Sequence, residues 1–196
     1  QAMESDWENA GRFLKTIKSE GDRMSRLIGD MLSLANADNK SWSIMKADCE
    51  LDTLLLDTYE KYQPILHEKK ISLKVVLPEE PLSICKCDSA RISQVLGILL
   101  DNGASYVPAG GRMEMGVKEN EKYFQLYVQD NGPGISDENK EAVFRRFYRA
   151  DPARKEKQHF GLGLCIAREI VTLHKGSIRI LDTPGGGSTF VIRLPK

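Results

Sequence analysis

Two pairs of alternating segments, each turned back by a short polar stretch, constrain this chain most. Arg112–Lys118 and Tyr123–Asp130 are joined by KENEK, and Gly176–Leu181 and Thr189–Leu194 by TPGGGS. Period-two alternation on both sides of a short turn is the signature of a β-hairpin, so an antiparallel sheet is required. Ile71–Leu77, ending at Pro78, and Ser83–Cys87 read as further strands, and Trp42–Lys46 as a short one. The intervening segments have helical periodicity. Leu51–Glu68 places Leu54, Leu55, Tyr59, Tyr62 and Leu66 on one side, and a helix capped by Asp88 or Ser89 runs to about Tyr106. Shorter helices are predicted over about Glu138–Phe144 and over Gly163–His174. Mixed helices and hairpins predict an α+β fold: a two-layer sandwich with helices on one face of a mixed, mostly antiparallel sheet.

A different pattern precedes this. Phe13, Leu14, Ile17, Met24, Leu27, Ile28, Met31 and Leu32 recur at helical spacing within a helix of roughly residues 5–36. A lone helix of this length cannot bury its own stripe and needs a partner helix. The polar ANADNKS that follows reads as a linker, so the predicted division is 1–38 and 39–196. Lys plus Arg and Asp plus Glu are both 28, which argues against a broad nucleic-acid footprint. No apolar run approaches the ~18–20 residues of a membrane span, and no signal peptide opens the sequence. Cys49, Cys85, Cys87 and Cys165 form no C-x-x-C pair, and Cys85-Lys86-Cys87 alternates like a strand, so free thiols in a reducing compartment are expected.

Four local features carry the chemistry. Asp101 and Asn102 follow the apolar positions Ile92, Val95, Leu96, Leu99 and Leu100 in the last turns of their helix. VQDNGPGI ends a strand in an acid and two glycines, which serves either as a plain turn or as a loop that a ligand can approach closely. FRRFYRAD holds Phe144 and Phe147, an aromatic pair of the kind usually found in a core. HFGLGLCIAREI runs a Gly-x-Gly into a helix, whose first N–H groups and positive dipole end suit phosphate. No G-x-x-x-x-G-K-[ST] loop is present, which excludes the P-loop route to ATP.

In order and spacing these features resemble the catalytic and ATP-binding domain of sensor histidine kinases, within the wider ATPase fold shared with gyrase, MutL and heat-shock chaperones. LLDNGASY resembles the N box, DNGPGI the first glycine box, FRRFYRAD the F box, GLGLCIAREI the second glycine box and GGGSTFVIRLP the terminal hairpin. The resemblance covers roughly residues 42–196, and SEGDRMSRLIGDMLSLAN resembles the second helix of the dimerisation and histidine-phosphotransfer hairpin.

The resemblance implies an ATP-dependent protein-histidine kinase with ATP and Mg²⁺ as cofactors. It assigns Asp130 to the adenine amino group, Gly132, Gly134 and Ile135 to the loop against the base, and Thr189 to the pocket floor. Asn102 is the implied Mg²⁺ ligand, an oxygen donor suited to a hard cation. Tyr106 and Arg149 match positions near ribose and phosphates. Gly161 and Gly163, with Leu162 and Leu164, match the phosphate-facing helix start. Residues from about Ala150 to Phe160 match a lid, where Arg154, Lys155 and Lys157 either screen phosphate or form a solvated charge run. The implied partners are a response-regulator receiver domain and a second copy through the helical hairpin. The implied location is the cytoplasmic side of a membrane-anchored sensor, with the anchor upstream.

Four positions depart from the family pattern. Ile98 stands one turn before Asn102 where an Asn, or in the hydrolases a Glu, is usual, and Ile cannot act as a base. Ser105 replaces a Lys, His159 a Gly, and Phe160 a small residue. The three histidines, His67, His159 and His174, lie outside the N-terminal helix, so the phosphoacceptor is expected upstream. His67 and His174 are read as surface or capping residues. Two alternatives stay open: a serine kinase of the anti-sigma-factor type on the same fold, and a degenerate nucleotide-binding scaffold or phosphatase module.

Overall fold

The computed structural model describes residues 43–149 and 160–196 throughout, together with most positions between 10 and 32. The chain divides into two compact units, Gln1–Trp42 and Ser43–Lys196. In the first, the described positions between 10 and 32 are helical (α1), and Phe13, Leu14, Ile17, Met24, Ile28, Met31 and Leu32 are exposed.

The second unit begins with a short strand, β1 (Ala47–Cys49), followed by α2 (Leu51–Glu68), β2 (Ser72–Val76) and β3 (Cys85–Cys87). The first strand therefore lies C-terminal to the predicted Trp42–Lys46. Then come α3 (Ser89–Tyr106), β4 (Arg112–Glu119), β5 (Tyr123–Asp130), the short α4 (Asp137–Ala142), α5 (Gly163–Leu173), β6 (Ser177–Asp182) and β7 (Ser188–Pro195). β1 and β3 form a separate antiparallel ribbon. The main sheet has the order β2-β4-β5-β7-β6, with β2 parallel to β4 and every other pair antiparallel. The predicted sandwich is what the chain forms.

The alternation of β5 shows how the layers are built. Phe124, Leu126, Val128 and Asp130 are buried beneath the helices, while Tyr123, Gln125, Tyr127 and Gln129 lie on the more open face. Leu96, Leu99 and Leu100 of α3 and Ile166, Ile170 and Val171 of α5 complete the core, since each helix turns one apolar stripe inward. On the open face the Tyr127 ring covers Gly116, where a Cβ would come within 2.6 Å of its hydroxyl, and the hydroxyl donates to Glu114 at 2.9 Å. No helix among the described residues is long and apolar enough to cross a membrane.

Asp88 is the N-cap of α3. Its Oδ1 accepts from Arg91 N at 3.1 Å and its Oδ2 from Met45 N at 3.0 Å. Asp88→Ala is expected to cost about 1–2 kcal/mol, because both donors lose a charged acceptor; chemical denaturation measures it. His174 caps α5 and is 2% exposed, so it is a capping residue but not a surface one. Its Nε2 accepts from Asp88 N at 3.0 Å, leaving Nδ1 to carry the proton donated to Ile170 O at 2.8 Å. One imidazole thus joins the start of α3 to the end of α5. His67 is exposed in the last turn of α2.

Candidate functional site

Asp130 ends β5 with its side chain on the helix side of the sheet, 8% exposed. Its Oδ1 accepts from Gly132 N at 2.8 Å and from Ser188 N at 3.3 Å. Burial pushes the carboxyl up from its ordinary value, and the two N–H groups pull it partly back. A buried acid oriented through one oxygen is built to present the other to a donor.

The backbone comes close around this acid. A Cβ on Gly132 would sit 2.9 Å from Asp130 Oδ1 and 3.6 Å from the Tyr106 carbonyl, so the end of α3 lies against the loop. Gly134 has φ +78, and its Cβ would meet Gly187 O at 3.3 Å. Gly187 has φ +109, and a Cβ there would collide with the Asp130 carbonyl. The Gly-rich turn between β6 and β7 therefore folds directly onto the strand end, an approach only glycine permits. Ile135 is half-buried in the same loop.

The register places Thr189 and Ser188 on opposite faces of β7. Thr189 pairs with Gln129, and Val128 pairs with Phe190. Side chains alternate along a strand, so Thr189 lies on the face opposite Asp130, where its hydroxyl meets that of Thr183 at 2.9 Å. Ser188 is buried, and its N–H is the one that reaches Asp130. The consecutive apolar run Phe190-Val191-Ile192 hides this parity, since it fits either face.

Asn102 and Tyr106 occupy the last turns of α3, Asn102 half-buried and Tyr106 exposed. Ile98, one turn before Asn102, packs against the start of α5: a Cβ on Gly163 would meet Ile98 Cγ2 at 3.2 Å. Asn102 therefore lies on the α3 face nearest that helix start. Asp101 accepts from the buried Tyr62 hydroxyl at 3.4 Å, which ties the same turn to α2. Ser105 donates back to Asp101 O at 2.8 Å. The N-cap of α5 is Leu162, which is buried and supplies no capping side chain; Leu164 is half-buried in the first turn. Gly161, with φ +74, accepts from Phe147 N at 3.0 Å, and its Cβ would press within 2.7 Å of Tyr148 O.

The aromatic pair divides. Phe144 is core, but Phe147 is 63% exposed with φ +61, a rare conformation for a bulky residue. Arg149 is exposed at the end of the described segment. The predicted lid, including Arg154, Lys155, Lys157 and His159, lies outside the described residues; Phe160 is half-buried just beyond it. Asp130, Gly132 and Gly134 are thus brought together, with the end of α3 beside them, while Ile98 and Gly163 place Asn102 near the start of α5. Sequence reasoning did not single out Ser188 or Gly187, which hold and crowd Asp130; the run GGGS before an apolar strand was the available signal.

The profile of the Histidine kinase-, DNA gyrase B-, and HSP90-like ATPase family matches residues 87–196. The chain is 35% identical over 98% of its length to the sensor histidine kinase WalK of Bacillus subtilis (strain 168), of which it spans 32%. It is likewise 34% identical over 93% of its length to the sensor protein SrrB of Staphylococcus aureus (strain N315), of which it spans 31%. It therefore covers about a third of the curated relatives it matches. Among solved structures, the catalytic domain of the histidine kinase ThkA superposes with a TM-score of 0.69 at 25% identity, over 78% of this chain and 96% of that one. A second ThkA structure, in complex with the response regulator protein TrrA, has the same fold, with a TM-score of 0.72 at 23% identity over 89% of this chain and 48% of that one. The family profile covers more than half of the chain and includes α3, β5, α5 and the terminal hairpin, the elements that carry Asn102, Asp130, Gly163 and Ser188; the chain belongs to the Histidine kinase-, DNA gyrase B-, and HSP90-like ATPase family.

Proposed function

We propose that this chain binds Mg²⁺-ATP and passes the γ-phosphoryl to a histidine on a dimerisation hairpin outside it, for relay to a response regulator. The observation that carries this is the oriented, buried Asp130 enclosed by glycines. An adenine amino group is a donor that a carboxylate accepts, whereas guanine presents a carbonyl there and is repelled. Gly132, Gly134 and Gly187 let the loop and the terminal turn close around this carboxylate, where a Cβ would meet protein atoms instead.

Asn102 would hold Mg²⁺ through its amide oxygen, a hard donor suited to that cation. The bound ion supplies charge neutralisation at the phosphates. The first N–H groups of α5, with no side chain capping them, face the same region and suit phosphate oxygens. Tyr106 and Arg149 line the approach from the ends of their segments. Ile98 has no proton to exchange, so it activates no water; a site that positions phosphate without a base at this place favours transfer to a strong nucleophile such as an imidazole over hydrolysis. The exposed stripe of α1 suits helical pairing with a second copy, and an upstream membrane anchor is part of the same proposal.

A separately purified phosphoacceptor hairpin supplied to this chain with labelled ATP is expected to acquire label on histidine, acid-labile and alkali-stable. Absence of label, with ATP bound, leaves the scaffold alternative. Asn102→Ala is expected to abolish the gain in ATP affinity that Mg²⁺ confers while leaving binding in EDTA within about twofold of wild type; calorimetry with and without Mg²⁺ measures both.

A further inference from the structure

The β1–β3 ribbon gathers three of the four cysteines on one face. The register sets Cys49 directly opposite Cys85, and Asp48 opposite Lys86. Asp48 and Lys86 form an ion pair of 3.1 Å on the solvent side, so Cys49, Cys85 and Cys87 all turn inward, each buried. All are free thiols. Directly opposite residues of an antiparallel pair have Cα atoms about 4.5–5.5 Å apart, inside the span of about 4.4–6.8 Å that a disulfide bridges. Cys87 stands opposite Ala47, diagonal to Cys49, which is the longer Cα separation although the Cys49 and Cys87 thiols also hydrogen-bond.

We propose that this ribbon is an oxidative modification site at which a hydroperoxide converts Cys49 and Cys85 into a cross-strand disulfide. Cys49 lines an open cavity of about 550 Å³ bounded also by Glu50, Ile84 and Ser89, which gives peroxide a path to its sulfur. The Cys49 thiolate attacks hydrogen peroxide, the O–O bond breaks, and Cys49 becomes a sulfenic acid while the hydroxide that leaves takes up the proton lost by the thiol and departs as water. The Cys85 thiolate then attacks that sulfur, and the sulfenic oxygen leaves as a second water. The balance is two thiols and one hydrogen peroxide to one disulfide and two waters. Hydrogen bonding from Cys87 holds the Cys85 thiol below its ordinary range despite burial, which suits Cys85 to the second step. Burial pushes the Cys49 thiol up. The link joins the segments that open α2 and α3. Cys165 lies elsewhere, donating to Leu162 O at 2.9 Å.

The test treats the reduced, folded chain with hydrogen peroxide, alkylates the remaining thiols and maps tryptic peptides without reductant. Cleavage after Lys86 places Cys85 in peptide 75–86 and Cys87 in peptide 87–91, so the partner of Cys49 in peptide 47–61 is unambiguous. The expected result is loss of two of four free thiols and a 47–61/75–86 link that dithiothreitol reverses. Cys87→Ser is expected to keep the link, and Cys85→Ser to leave a Cys49 sulfenic acid that dimedone traps. A link from 47–61 to 87–91, or four alkylated thiols under conditions that oxidise a free cysteine peptide, overturns the proposal.

Discussion

Asp130→Asn is expected to weaken ATP binding by at least about 100-fold in calorimetric titration, without unfolding the chain. The carbonyl of the introduced side chain still accepts from Gly132 and Ser188, so the local geometry survives. Its amide nitrogen, however, turns two donors toward the adenine amino group, and a charged acceptor becomes a donor–donor clash worth about 3 kcal/mol. GTP binding is expected not to fall in parallel. The same substitution carries a stability sign. The carboxyl is pushed up in the folded state, so the folded chain holds its proton more tightly than the unfolded one. Stability contributed by this group is complete below the ordinary carboxylate value and is lost as pH rises through the folded value. At pH 7 the apo Asp130→Asn protein is therefore expected to be at least as stable as wild type, and the gap between their melting temperatures to close on acidification. Subtracting the two curves removes carboxylates shifted the other way, such as Glu119, held at about 2 by Lys196 and Ser83. Equal loss of ATP and GTP, or an unfolded variant, would sink the assignment.

Gly187→Ala is expected to be the most damaging single methyl group in the terminal hairpin. Its φ of +109 lies where L-residues are strained, and the added carbon would approach within 2.7 Å of the Asp130 carbonyl carbon and 2.8 Å of Asn131 Cα. Neither neighbour is a side chain that can swing away. Backbone strain and displacement together are expected to cost about 3 kcal/mol, or roughly 6–12 °C in melting temperature, and to abolish ATP binding because Ser188 N moves off Asp130. Gly185→Ala is the internal comparison. It shares a positive φ, +85, but meets nothing within 4 Å, so the expected cost is about 1 kcal/mol with ATP affinity retained. If the two variants behave alike, close approach to Asp130 is not what Gly187 provides.

The contrast between α3 and β7 shows what was legible in the sequence. Asp88 announces the start of α3 through local capping chemistry, and Val107-Pro108 closes it, so both bounds follow from neighbours in the chain. The glycine boxes were legible for a related reason, because Gly132, Gly134 and Gly161 answer backbone demands that few other residues meet. Ser188 was not legible. Its role depends on which face of β7 meets the helices, and that parity is set by the geometry of a three-glycine turn. β1 was displaced for a similar reason: a three-residue strand is defined by its partner Cys85–Cys87, and Cys49 is the only buried member of its own run. The burial of His174 depended on Asp88, 86 residues away, which no local pattern reveals.

That the Asp130 carboxylate is held by Ser188 across 58 residues of chain has a kinetic consequence. Helices α2 and α3 close over neighbouring residues and can form early, whereas this contact waits for β7 to dock on β5. Recovery of nucleotide binding during refolding should therefore report completion of the sheet rather than the first appearance of helix, which makes ATP a clock for the last long-range closure in the domain.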